Sequence, residues 1–115
     1  MSTITLTADS LGPTVAENDI VLVDFWAAWC GPCRMFAPVF EAASEQHPDV
    51  VFGKVDTEAE RALAAAARIT SIPTLMAFRA GKLVFAQPGA LAAAALEDLI
   101  SQVRALDPAA LEQAD

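Results

Sequence analysis

This 115-residue sequence predicts an α/β fold in which a mixed β-sheet carries helices on both faces. Three observations predict it. Two nearly continuous apolar runs, Ile20 to Trp26 and Val50 to Asp56, have the length and the β-branched, aromatic composition of strands buried on both sides. A segment of helical spacing, Cys33 to Gln46, lies between them, which makes a βαβ unit with parallel strands and a right-handed crossover. Two shorter runs, Thr74 to Arg79 and Lys82 to Gln87, meet at Ala80-Gly81 and read as an antiparallel hairpin. Parallel and antiparallel pairs in one chain make the sheet mixed.

In order, Ile4 to Thr7 reads as a short first strand. Asp9 or Ser10 offers an N-cap for a helix reaching about Glu17, with Pro13 tolerated only in its first turn. Asn18-Asp19 is a turn. Asp24 is the anomaly of the first buried strand and Lys54 that of the second. Between them Met35, Phe36, Val39, Phe40 and Ala43 are expected on one helix face, with a kink at Pro38. Glu58 to Arg68 is a helix by propensity, acid first and base last. Ala90 to Leu106 is the final helix, with an apolar stripe of Leu91, Ala95, Leu99, Ile100 and Val103, and Pro108 ends it. The order is β-α-β-α-β-α-β-β-α. Residues 1–107 form the single expected domain and 108–115 a flexible tail.

Composition narrows the function. Fifteen acidic and seven basic residues give a formal net charge of −8. Contacts to phosphate need a basic footprint, so nucleic-acid binding is excluded. The longest apolar stretches break well before the roughly 18 residues that a membrane span needs, so no membrane role is expected. Met1 to Thr7 holds no basic residue and no apolar run, and no export signal is expected there. The expected compartment is the cytoplasm, where thiols are kept reduced and a close cysteine pair serves catalysis or metal binding more often than structure.

Cys30 and Cys33, in Trp29-Cys30-Gly31-Pro32-Cys33, are the only cysteines. Such a pair can close a disulfide on itself and open it again. It follows a buried strand and opens a helix, where free N–H groups and a partial positive charge favour an anion. A thiolate there has a lowered pKa and is the better nucleophile near neutral pH. Cys30, just ahead of the helix, is the expected exposed attacker. Cys33, one turn in and more buried, would resolve the mixed disulfide. Pro32 suits the first helical turn and stiffens the pair. By the loop-entropy relation a bridge this short adds only about 2 kcal/mol, against about 4.7 for a 100-residue loop, so a staple is a poor account of it. Half of a zinc site is the competing reading, but zinc takes four ligands and His47 lies at the far end of the helix, so no metal is expected. Asp24, inside a buried strand, should be desolvated, with a raised pKa that lets it exchange a proton near pH 7.

The run Val23-Asp24-Phe25-Trp26-Ala27-Ala28-Trp29-Cys30-Gly31-Pro32-Cys33-Arg34 resembles the active-site signature of the thioredoxins, small disulfide reductases, and the likeness covers about Ile4 to Val103. The resemblance implies a thioredoxin fold, a five-stranded mixed sheet flanked by four helices. It also implies protein-disulfide reduction by dithiol exchange at Cys30 and Cys33, serving redox homeostasis and supplying electrons to reductive enzymes. Asp24 matches the family's buried carboxylate, which would deprotonate Cys33, and Lys54 the lysine that would pair with it. Thr70-Ser71-Ile72-Pro73-Thr74 resembles the loop whose cis-proline faces the cysteines, with the Ile72 backbone open to an extended substrate. Gly89 and Ala90 match a further part of the docking groove and Trp29 its aromatic wall. Gly31, Pro32, Lys54 and Pro73 would support and tune the pair. No bound cofactor is implied beyond the Cys30–Cys33 disulfide itself. The implied partners are a flavin-containing, NADPH-dependent thioredoxin reductase and disulfide-containing client proteins, with the chain itself a monomer. Pro88 before Gly89, Gly12-Pro13 and the absence of tyrosine depart from the family pattern. Two other readings stay open: a non-catalytic subunit that docks on a partner enzyme, and an oxidase or isomerase. Gly31-Pro32 resembles the reducing members.

Overall fold

The computed structural model describes residues 2–113. Its elements are β1 (Thr3–Thr5), α1 (Leu11–Glu17), β2 (Ile20–Trp26), α2 (Gly31–Gln46), β3 (Val51–Asp56), α3 (Arg61–Ala66), β4 (Thr74–Arg79), β5 (Lys82–Pro88), α4 (Ala93–Ala105) and α5 (Pro108–Gln113). The strands form one five-stranded sheet in the order β1-β3-β2-β4-β5. β3 is parallel to β1 and to β2, whereas β4 is antiparallel to β2 and to β5. The mixed sheet predicted from the sequence is therefore present.

β2 is central, which explains why it is apolar almost throughout. Alternation along the strand sends Ile20 and Leu22 to one face and Val21, Val23 and Phe25 to the other, and helices cover both. Phe36 and Phe40 of α2 and Leu96, Leu99 and Ile100 of α4 close the first face. Leu11 and Val15 of α1 and Leu63 of α3 pack on the second. Asp24 follows the parity of Leu22 and so lies on the α2 side of the sheet.

The element boundaries correct several expectations. There are five helices among the described residues, not four. Asp107 accepts the Ala109 N–H on Oδ1 at 3.0 Å and the Leu111 N–H on its carbonyl at 3.2 Å. Pro108 takes the first helical position, where its missing N–H costs nothing. The proline expected to end α4 thus also starts α5, and the expected flexible tail is a helix over 108–113; residues 114 and 115 lie outside the described residues. α3 is shorter than predicted because Asp56 Oδ1 accepts the Glu58 N–H at 2.9 Å and holds a turn there. At the other end Arg68 enters the left-handed region at φ 59°, while the Ile69 N–H bonds the Ala64 carbonyl. α4 buries Leu96 rather than Ala95 and begins at Ala93, not Ala90.

On α2 the core stripe is Phe36, Phe40 and Ala43; Met35, about 100° around the helix from Phe36, is 76% exposed and not on the core face. β1 is confined to Thr3–Thr5 because the chain turns at Thr7, whose N–H bonds Ser10 Oγ at 2.8 Å while Thr7 Oγ1 accepts the Ser10 N–H at 3.3 Å. The β4–β5 hairpin turns through Ala80 at φ 52° and Gly81 at φ 82°, the two positive angles of a type I′ turn.

Candidate functional site

β2 ends at Trp26 and the chain enters α2 at Gly31. In that short passage Ala27, Cys30 and Cys33 form a small buried cluster, with Trp26 and Ile72 packed on it. Cys30 is the N-cap of α2, with extended backbone at φ −87° and ψ 114°. Cys33 stands one turn in, and the two are joined by a disulfide with Cα atoms 5.2 Å apart. Cys30 Sγ accepts the backbone N–H of Cys33 at 3.2 Å, in the place a serine or aspartate oxygen fills in ordinary caps. When the bond is reduced, that N–H and the positive end of the helix face the Cys30 sulfur and favour its thiolate. The Ile72 carbonyl oxygen lies 3.7 Å from the same sulfur.

Both cysteines are buried, Cys30 at 4% exposure and Cys33 at 2%. The expected exposed attacker is thus corrected to a nearly covered one, because Ala27 and Ile72 pack around the pair. Gly31 and Pro32 fill the first two helical positions, where proline removes only an N–H that has no intrahelical acceptor. Arg34 was not singled out from the sequence. Its Nη1 donates to the Ala28 carbonyl at 2.9 Å and so closes the turn between strand and helix.

Asp24 is fully buried, and neither carboxyl oxygen has a hydrogen-bond partner among the described residues. Burial pushes its pKa from the ordinary 3.8 up to about 6, and the charge of Lys54 pulls the other way. Lys54 sits opposite Asp24 in the β2–β3 register. The expected pair is not a hydrogen-bonded one, however. The Lys54 ammonium stands 4.9 Å over the Trp26 ring, where a cation is attracted to the π face while its stem stays half-buried.

The Ile72–Pro73 peptide is cis, as the resemblance implied. Thr74 Oγ1 donates to the Ser71 carbonyl at 2.6 Å and closes this loop. The Gly89 N–H donates to the Pro73 carbonyl at 2.7 Å, which ties the end of β5 to the loop. Gly89 has φ 106°, an angle side-chain-bearing residues rarely adopt. Gly89 and Ala90 are exposed, and Trp29 is 66% exposed. The structure thus brings Cys30, Cys33, Ile72 and Pro73 together, with Gly89 bonded to Pro73.

This arrangement has a nucleophile at a helix N-terminus, a second sulfur within bonding reach, a proton-holding carboxyl on the same face of the sheet and an open backbone edge. That is the equipment of dithiol–disulfide exchange. A hollow of about 470 Å³ between α2 and α4, around Val39, Ala43, His47, Leu96 and Glu97, lies towards the other end of α2 and is lined by neither cysteine. Among the described residues no group of three or more His, Cys, Asp or Glu is placed to hold a metal ion, and no helix is long and apolar enough to cross a membrane.

Comparison with known proteins agrees with this geometry. The sequence model of the family described as Thioredoxin matches residues 2–102. A Streptomyces coelicolor protein assigned as thioredoxin 2 is 59% identical over 106 residues, covering 92% of this chain and 79% of that one. The bifunctional thioredoxin reductase/thioredoxin of Mycobacterium leprae is 42% identical over 97 residues, 84% of this chain and 21% of that protein. Among solved structures, a mutant thioredoxin from Halobacterium salinarum superposes with a TM-score of 0.83 at 38% identity, covering 92% of this chain and 93% of that one.

Proposed function

The chain belongs to the thioredoxin family, and from that premise we propose how its parts divide the work. It is a thiol–disulfide oxidoreductase that reduces disulfides, and its redox group is the Cys30–Cys33 disulfide, with no other cofactor. In the reduced form the Cys30 thiolate attacks one sulfur of a client disulfide. The client's other sulfur leaves as a thiolate and takes a proton, and a mixed disulfide forms at Cys30. Asp24, whose pKa of about 6 lets it accept a proton near neutral pH, then takes the proton of Cys33. Cys33 attacks Cys30 Sγ, the client leaves with both its sulfurs reduced, and two electrons have passed from the dithiol to the client. Lys54 lowers the cost of the Asp24 charge. Trp29, Ile72, Pro73, Gly89 and Ala90 receive the client chain, which bonds to the Ile72 backbone in extended form.

Recharging is assigned to a flavin-containing, NADPH-dependent thioredoxin reductase. The relative whose name joins a reductase to a thioredoxin supports that assignment. Residues 1–107 act as one domain, a monomer in the cytoplasm, within the cell's electron-transport and redox-homeostasis chemistry. The observation that carries the reading is the Cys30 sulfur on the helix cap, 3.2 Å from the Cys33 N–H and 3.7 Å from the Ile72 carbonyl. The test is NADPH-driven reduction of a disulfide protein in the presence of a thioredoxin reductase. Turnover by the wild type and none by Cys30→Ser is expected. An inactive wild type, or a fully active Cys30→Ser, would sink the proposal.

A further inference from the structure

We propose that the hollow between the loop after α3 and the end of β5 is an anion subsite, in which Arg68 binds an acidic side chain of the client a few residues from the attacked cysteine. The proposal rests on the reductase reading and refines it into a charge preference.

The chain carries seven basic residues, and most are engaged. Arg34 donates to the Ala28 carbonyl, and Lys54 lies over the Trp26 ring. Arg61, Arg79 and Arg104 pair with Glu58, Asp19 and Asp49. The side chains of Arg68 and Lys82 have no partner among the described residues. Lys82 opens β5 at the hairpin, and Pro88, on the lining of the hollow, closes that strand about 20 Å away at the ordinary strand rise. Among the described residues, Arg68 is thus the unpaired base at the end of the sheet nearest the sulfurs.

The helix does not account for its place. α3 ends at Ala66, and Arg68 lies beyond the last turn with its backbone at φ 59°, a position that glycine usually takes. What arginine adds there is a guanidinium at the mouth of a hollow of about 170 Å³. Thr70, Ser71 and Gln87 share the lining, over a floor of Ile69 and the buried Met76. The two hydroxyls and the amide are also without partners among the described residues. No carboxylate of the chain lines the hollow. A guanidinium fork with three further donor groups around a small recess fits a carboxylate, whose two oxygens accept several hydrogen bonds at once.

The hollow adjoins the place of reaction. Ser71 precedes Ile72, whose carbonyl stands 3.7 Å from Cys30 Sγ, and Pro88 precedes Gly89, whose N–H bonds the Pro73 carbonyl. A client extended on the Ile72 backbone passes this loop, and a glutamate two or three residues from its attacked cysteine comes within reach of the guanidinium. The chain as a whole has a net charge of −8 and favours basic clients from a distance. A local preference for acid runs against that field, so the two effects are separable.

The test uses the full chain, reduced beforehand so that no reductase enters the measured step. Its rate is followed on peptides with one internal disulfide and with Glu, Gln or Lys at successive positions on either side of the attacked cysteine. At one position, in low salt, Glu should react about threefold faster than Gln, the scale of an exposed ion pair, and Lys more slowly than Gln. At the other positions Lys should lead. The Glu advantage should vanish in high salt and in Arg68→Gln, and reverse in Arg68→Glu. Lys82→Gln, which removes the same charge at the far end of β5, should keep it. Arg68→Gly, which suits φ 59° better than arginine, should lose the advantage in a stably folded chain, and so covers a failure of the other variants to fold. Every variant should reduce an uncharged small-molecule disulfide at the wild-type rate. The subsite is overturned if Glu and Gln react alike at every position, if the advantage survives in Arg68→Gln or Arg68→Gly, or if Lys82→Gln removes it equally. Failure of the wild type on the small-molecule disulfide would instead remove the reductase reading itself, a separate result.

Discussion

At its C-terminal end α2 is held by a charge network in which every member has a partner; at its N-terminal end it stands on the side of the sheet that carries a carboxyl with none. His47, the C-cap, has Nε2 2.8 Å from Glu97 Oε1 and Nδ1 3.0 Å from Arg104 Nη2. Because the guanidinium can only donate, Nδ1 must accept and Nε2 carries the proton that goes to Glu97. Arg104 also grips Asp49 through two bonds, of 2.6 and 3.0 Å. These groups lie at the surface, where such pairs are cheap to form and contribute little. Asp24 is the reverse case, with full burial and two unpartnered oxygens. Buried, strongly perturbed carboxyls cluster at functional sites, and the sulfurs sit at that end of the helix.

The comparison is broken most directly at the cysteines. Cys30→Ser should reduce turnover to background. Cys33→Ser should still allow attack but strand the client as a mixed disulfide at Cys30, seen as a mass increase equal to the bound client and released by added dithiol. A stranded client in Cys30→Ser instead would exchange the roles of attacker and resolver.

Asp24→Asn comes next, because it keeps the shape and removes the charge. The folded state keeps the Asp24 proton up to about pH 6, whereas the unfolded chain gives it up near 3.8. Between those values the folded state binds more protons, so wild-type stability falls as pH rises from about 4 to about 6 and is level above. Moving the pKa that far makes the ionised form less stable by about 3 kcal/mol. Asp24→Asn should therefore be more stable than wild type by up to about 3 kcal/mol at pH 7, and the gap should close as pH falls below about 4. Denaturant titrations at the two pH values measure it. The resolving step should slow, and its pH profile should lose the inflection near 6. A variant no more stable than wild type at pH 7 would mean that Asp24 finds compensation in solution.

The strongly determined parts of this fold were legible in the sequence. Ile20 to Trp26 was read to the residue because a strand covered on both faces is apolar almost throughout, with Asp24 its one exception. The active pair and its helix were legible because their short spacing in the chain is also their geometry, whereas the Ile72–Pro73 loop, far along the chain from the cysteines, was legible only through the family resemblance. What was missed depends on groups distant in sequence. Met35 and Phe36 both fit the helical stripe by spacing, and only the positions of α4 and the sheet decide that Phe36 alone of the two faces inward. Lys54 was expected beside Asp24 and its charge does act on that carboxyl, but its placement over the Trp26 ring was not legible, because a register alone does not say where an ammonium rests. Asp107-Pro108 did carry a helix-start signal, a capping residue followed by proline at the first position, which was read only as a stop.

The smallest effect belongs to the other end of α2 and should have the opposite sign. The hydrogen bonds from Arg104 hold the Asp49 pKa down from 3.8 to about 2. A depressed carboxylate supports the fold above its unfolded pKa, and that support is lost as pH falls from about 4 through 2. Asp49→Asn should therefore lower Tm slightly at pH 7, where Asp24→Asn raises it. Because Asp49 lies in solvent, the loss should shrink in high salt as the charges are screened, and it should vanish in strong acid, where the wild-type carboxyl is itself neutral. Turnover and the resolving rate should stay at wild-type values, since the network lies at the opposite end of the helix from the sulfurs. Thermal melts across salt and pH, run beside the reductase assay, measure all of this. A change in the resolving rate would show that the C-terminal network reaches the redox end through α2, and the two ends could then no longer be treated as independent.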